Sequence, residues 1–186
     1  HEVSLIGEVT VTTQQENGLI GLALDPRFAE TQWIFLQYSP PDFSGQHISR
    51  FTLKDGKLDS ASEKFLLKYE EQRKECCHHA GSLHFGSRGE LFIASGDNTH
   101  PHGDSQGYAP IDERPDRAPW DVQNSSANTN SDNGKILRIK PTPEGGYTEE
   151  EVREMIGWIF SPEPAGLVRV FPGFVGEIAV SAATGW

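Results

Sequence analysis

The chain has 186 residues, 35% of them hydrophobic and 10% aromatic, with 19 glycines, 12 prolines and a formal net charge of −11. Interspersed charges and recurring apolar runs exclude disorder, no run approaches the ~20 apolar residues of a membrane helix, and so acidic a chain repels nucleic-acid phosphates and anionic lipid. What remains is a turn-rich β protein whose core leans on aromatic side chains and whose field suits neutral sugars or bound cations.

The first stretch, HEVSLIGEVTV, lacks the basic segment, apolar core and cleavage site of a signal peptide and reads as a chain begun in mid-flow. From residue 17, NGLIGLALDPRFAETQWIFLQYSPP predicts a glycine-led strand, a tight turn at DPRF and a second strand, with HISRFTL and KFLLKYE as further strands. Ile48, Arg50 and Thr52 alternate with Ser49, Phe51 and Leu53, the two-residue period of half-buried strands. The order returns about sixty residues later in HHAGSLHFGSRGELFIASGDN and, after a long loop, NGKILRIKP. A unit of up-and-down strands cannot cover its own faces and must stack on a neighbour. The predicted fold class is therefore all-β, a partial β-propeller of about two four-stranded blades; a two-sheet sandwich is the alternative.

Residues 99–134 form a loop longer than the ~15 residues usual in a compact domain. Its four prolines, with Tyr108 and Trp120, predict an ordered loop lying over a surface. Those two rings either stack on a sugar or pin the loop to the sheet. After PTPEGGYT the character changes. Thr148 and Glu151 have capping-box spacing, and Val152, Met155, Ile156 and Ile159 follow at helical intervals, predicting a short helix near the C-terminus. The chain thus divides into blades over 1–148 and a helix-plus-strand segment over 149–186.

The chemistry concentrates in ECCHHAGS. Zinc ligands normally come two to four residues apart, whereas adjacent side chains on a strand face opposite ways. Cys76 with Cys77, or His78 with His79, is therefore a poor metal pair, and no metal ligand is assigned. The cysteines read as structural, either as buried free thiols or as a vicinal disulfide, because no Cys-x-x-Cys redox spacing exists. His78, followed by the small Ala80 and Gly81 where a loop becomes a strand, is either a hydrogen-bonded structural residue or a proton acceptor. Asp97, in GDN, either points a carboxylate into a mouth or makes an ordinary turn. Asn128, Asn130 and Asp132 resemble the start of a calcium loop, but Gly134 comes one residue late and Ile139 stands where a closing glutamate belongs. An Asx-rich turn is the plainer account.

The ordered series ENGLIGLALDPRF, WIFLQYS, ISRF, HHAGSLHFGSRGELFIASGDN and NGKILRIKP, spanning residues 14 to 148, resembles the start of the quinoprotein glucose/sorbosone dehydrogenase family. The resemblance implies a six-bladed β-propeller that oxidises a sugar or polyol using pyrroloquinoline quinone (PQQ) and calcium, in the periplasm or secreted. It makes His78 the base that takes the sugar hydroxyl proton as hydride passes to the quinone. Glu16 falls where some members carry a glutamine touching cofactor or substrate, and Cys77 where some carry an aspartate. Glu16, Cys77 and Asp97 are thus the expected cofactor-side contacts. The family's Arg-Asn-Pro segment and later cationic residues have no counterpart in this span, so the chain reads as the N-terminal portion of a longer enzyme. The alternative is a non-catalytic propeller module that binds carbohydrate or protein through its loops.

Overall fold

The computed structural model describes residues 3–100 and 105–148. The predicted C-terminal helix and the whole of 149–186 lie outside the described residues. The elements in order are β1 (Leu19–Leu24), a one-turn helix α1 (Phe28–Thr31), β2 (Trp33–Tyr38), β3 (Gly45–Lys54), β4 (Lys57–Glu70), β5 (Ala80–Phe85), β6 (Leu91–Ser95) and β7 (Ile136–Ile139). Strands β1-β2-β3-β4 form one sheet and β5-β6-β7 another, every pairing antiparallel and between sequence neighbours.

Local chemistry explains the connections. The predicted turn at DPRF begins with the Asp25 carboxylate accepting the Arg27 N–H at 2.7 Å and continues as α1, which Gln32 ends in the left-handed region at φ 53°. Asp55 and Gly56 both have positive φ, 51° and 74°, which suits the two-residue hairpin turn that matches strand twist. That hairpin carries β4 back to Lys57, well upstream of the KFLLKYE read from alternation.

Alternation along β2 sends Phe35 one way and Ile34, Leu36 and Tyr38 the other. Phe35 joins Ile48, Leu67 and Tyr69 of the first sheet and Leu83, Leu91, Ile93, Leu137 and Ile139 of the second in one core between the sheets. Ile34, Leu36, Tyr38 and Phe51 form a second cluster on the far face, against Val9 and Val11 of the N-terminal segment. The innermost strands β1 and β5 approach backbone to backbone. A methyl at Gly21 would overlap the Gly81 carbonyl, and one at Gly81, where φ is 127°, would crowd the Ile20 carbonyl. The architecture is a partial β-propeller, with four strands in the first blade and three described in the second.

Candidate active site at the rim of the inner strands

Strands β1 and β5 start at the same end of the molecule, and β6 runs back to finish there. Residues just outside those termini share one rim: Glu16 before β1, His78 before β5 and Asp97 after β6. His78 is left-handed at φ 59°, uncommon for a non-glycine residue and found where surrounding contacts hold it. Its N–H donates to Glu16 Oε2 at 2.6 Å, and its carbonyl accepts the Asn98 N–H at 3.2 Å. Its ring Nδ1 lies 2.9 Å from Asp97 Oδ1, with 44% of the side chain exposed.

An ionised carboxylate only accepts hydrogen bonds, so Asp97 selects the tautomer with the proton on Nδ1 and leaves the Nε2 lone pair free to accept. The same Asp97 oxygen accepts the Thr99 N–H at 2.9 Å. Asp97 is therefore both a turn residue and the orienting partner of His78. Glu16 is a clamp on backbone: the Oε2 that holds His78 also lies 3.4 Å from the His79 N–H.

Several residues that sequence reasoning did not single out hold this rim. Gly96 packs directly under His78, so that a methyl there would overlap the His78 carbonyl. Asn98 bridges to Gln72, accepting its N–H at 2.6 Å and donating to its carbonyl at 3.2 Å. His79 is buried, its Nδ1 2.9 Å from the buried Glu71. The GDN turn could have flagged Asn98; nothing local marks Glu71.

Cys76 and Cys77 are half-buried with their sulfurs set against each other as a vicinal disulfide, one of the two states the sequence leaves open. Because the segment before β5 is coil, the strand rule that separates adjacent side chains does not apply. Both sulfurs and a His100 ring nitrogen lie within 4.8 Å of one another. While the sulfurs are bonded together they are not thiolate ligands.

The described part of the long loop, residues 105–134, is pinned by packed and ion-paired side chains. Trp120 is buried with the Arg117 guanidinium 3.7 Å from its ring, whereas Tyr108 is exposed beneath Arg114 at 4.0 Å. Buried Asp112 anchors the loop, its two oxygens each 2.7 Å from Arg114 nitrogens and one 3.1 Å from Arg117. In the calcium-like segment, Asn128 Oδ1 accepts the Asn130 N–H at 2.9 Å, an Asx turn. The carbonyls of Ser125, Ser126 and Asn133 accept from Lys135 Nζ at 3.1, 3.0 and 2.8 Å, so an ammonium gathers carbonyls as a cation would. Burial pulls that lysine below its usual pKa, against the nearby Asp132.

Between loop and rim lies a cleft of about 140 Å³ lined by polar groups that include Gln72, Asp97, Thr99, Asp121 and Asn124. PQQ, with three carboxylates, would ask for several available cations. Arg73 gives both terminal nitrogens to the Pro40 and Gly45 carbonyls, and Arg114 and Arg117 are committed to Asp112. The described residues set a half-exposed imidazole against a carboxylate; they do not fit a cradle for a polyanionic quinone.

A family model described as glucose/sorbosone dehydrogenase matches residues 2–153. An oxidoreductase from Thermus thermophilus, described as a glucose dehydrogenase, is 23% identical with a TM-score of 0.54, covering 77% of this chain and 36% of its own. The PQQ-bound form of an aldose sugar dehydrogenase from Streptomyces coelicolor is 23% identical with a TM-score of 0.51, covering 75% and 35%. A further glucose dehydrogenase is 22% identical with a TM-score of 0.51, covering 74% and 34%. These likenesses speak for the fold, and the chain spans about a third of the length of the structures it matches. No curated protein matches significantly.

Proposed function

Since the chain belongs to the glucose/sorbosone dehydrogenase family, we propose that it carries the general base of a sugar dehydrogenase, with His78 Nε2 taking the proton of the substrate hydroxyl. Oxidising a sugar hydroxyl removes a proton from oxygen and a hydride from carbon. PQQ, with calcium, is the cofactor the family match suggests, and if bound it would supply a hydride acceptor; the described residues do not form its cradle. The observation that carries the reading is the solvent-facing His78 ring with Nδ1 anchored on Asp97 at 2.9 Å. Asp97 orients the imidazole and stabilises the imidazolium that forms. Glu16 holds the backbone of the base, and Cys77, bonded to Cys76 just before it, forms one wall of the rim. The proposed substrate, a neutral sugar or polyol, comes from the family match.

A periplasmic or secreted location is proposed from the family match. Among the described residues no helix is long and apolar enough to cross a membrane.

The test is dye reduction with aldoses by the full-length protein supplied with PQQ and calcium. His78→Ala should lower kcat by roughly 10²–10⁴-fold, the contribution usual for a general base. Unchanged turnover in that variant would overturn the assignment. The engagement of Arg73, Arg114 and Arg117 by protein groups favours a second reading, a non-catalytic module whose cleft binds carbohydrate. Saturable sugar binding by a protein that reduces no dye under these conditions would select it.

A further inference from the structure

The dipeptide His78-His79 carries two imidazoles with opposite fates. His78 is on the rim; His79 turns inward, its side chain 1% exposed, onto Glu71, whose side chain is fully buried. Glu71 Oε2 accepts from His79 Nδ1 at 2.9 Å and from Gln46 Nε2 at 2.7 Å, and Gln46 Oε1 accepts from Ser39 Oγ at 3.0 Å. The chain of contacts therefore starts beyond β2, crosses β3, passes the end of β4 and reaches the residue before β5. It fastens the segment carrying the base to the neighbouring blade.

As a source of stability the pair is poorly built. His79 Nε2 and Glu71 Oε1 are buried and make no hydrogen bond among the described residues. Replacing a buried, incompletely satisfied ionisable pair with apolar side chains is often neutral or stabilising. Direction is what the arrangement does supply. With its ring tethered to Glu71, its N–H near Glu16 at 3.4 Å and its carbonyl accepting the Gly96 N–H at 3.2 Å, His79 cannot rotate without carrying His78.

We propose that Glu71 and His79 are positioning residues for His78, a buried tether between blades that sets the imidazole against Asp97. The inference rests on the reading of His78 as the base, but its central claim, the alignment of the His78 ring, is readable without turnover.

The experiment uses the full chain with Glu71→Leu/His79→Leu, which removes the tether and leaves Gln46 Nε2 as the one donor of the chain of contacts without its carboxylate, beside Glu71→Gln, which keeps an acceptor at this position. Imidazole ¹⁵N spectra report the His78 tautomer. The double variant should lose no more stability than the orphaned Gln46 donor costs, about 1–3 kcal/mol, yet lose the Nδ1-protonated preference of His78. Its kcat should fall between about 10- and 100-fold, the scale of a misplacement near 1 Å, with KM changed less than about twofold. Glu71→Gln should restore most of both signals. A His78 tautomer signature unchanged in the double variant would overturn the inference. If the double variant fails to fold, which itself counts against the apolar-replacement argument, His79→Phe gives the same tautomer readout. A changed signature in a protein with no dehydrogenase activity would support the tether while removing the proposed function, so the two failures are distinguishable.

Discussion

His78 and Asp97 stand 19 residues apart in sequence and meet at 2.9 Å because β5 and β6 are antiparallel neighbours whose open ends share one rim. The hairpin between them is a device for placing a carboxylate behind an imidazole. Asp97→Ala should lower kcat by roughly 10²-fold, at the lower end of what a general base contributes. It should also move the His78 ring toward the Nε2-protonated tautomer in ¹⁵N spectra. A variant with full kcat and an unchanged tautomer would show that the contact orients nothing.

Gly96 tests the backbone beneath His78. Its φ is unexceptional, so the requirement for glycine comes from the His78 carbonyl lying where a side chain would begin. Gly96→Ala should cost about 1–3 kcal/mol, the range for overpacking a close-packed site, measured by urea denaturation. The same variant should weaken protection of the Asn98 amide in hydrogen exchange, since that N–H donates to the displaced carbonyl.

The Cys76–Cys77 bond closes almost no loop, so it removes little entropy from the unfolded chain and should add little global stability. A thiol titration of the unfolded protein should read none before reduction and two after. Cys76→Ser/Cys77→Ser should leave the melting temperature within about 3 °C, in keeping with that small loop term. The local effect should appear in the amide signal of His78, the next residue. A large drop in melting temperature would mean that the pair packs as part of the core.

Asp112 supplies a pH dependence with a definite sign. Hydrogen bonds from Arg114, then from Arg117, hold its carboxyl far below the ordinary carboxylate range despite burial. A depressed folded-state pKa stabilises above the unfolded value, about 3.9, and that contribution is lost as pH falls below it. The loop should stay docked at pH 5 and release progressively below about pH 4, read by the fluorescence of Trp120, which lies against Arg117. Asp112→Asn should loosen the loop at neutral pH and flatten this acid-dependent change.

Sequence alone carried the architecture a long way. Strand alternation and turn residues act over a few neighbours, so β1 to β7 and the blade-like repeat were legible from local pattern, whereas the residues alone left His78 open between a structural and a proton-accepting role. The hairpin at Asp55-Gly56 was also written locally, in residues whose positive φ the turn demands. Pairings across the fold were another matter. Glu16 binds the His78 amide from 62 residues away, and the Glu71–His79 tether and the Lys135 carbonyl cluster exist because separate elements bury their polar groups together. A buried charge or amide must find a partner wherever packing brings one, and which partner arrives is set by how β1 lies against β5. Local periodicity thus determined which residues are strands, and the contact between blades decided which groups stand behind the exposed imidazole.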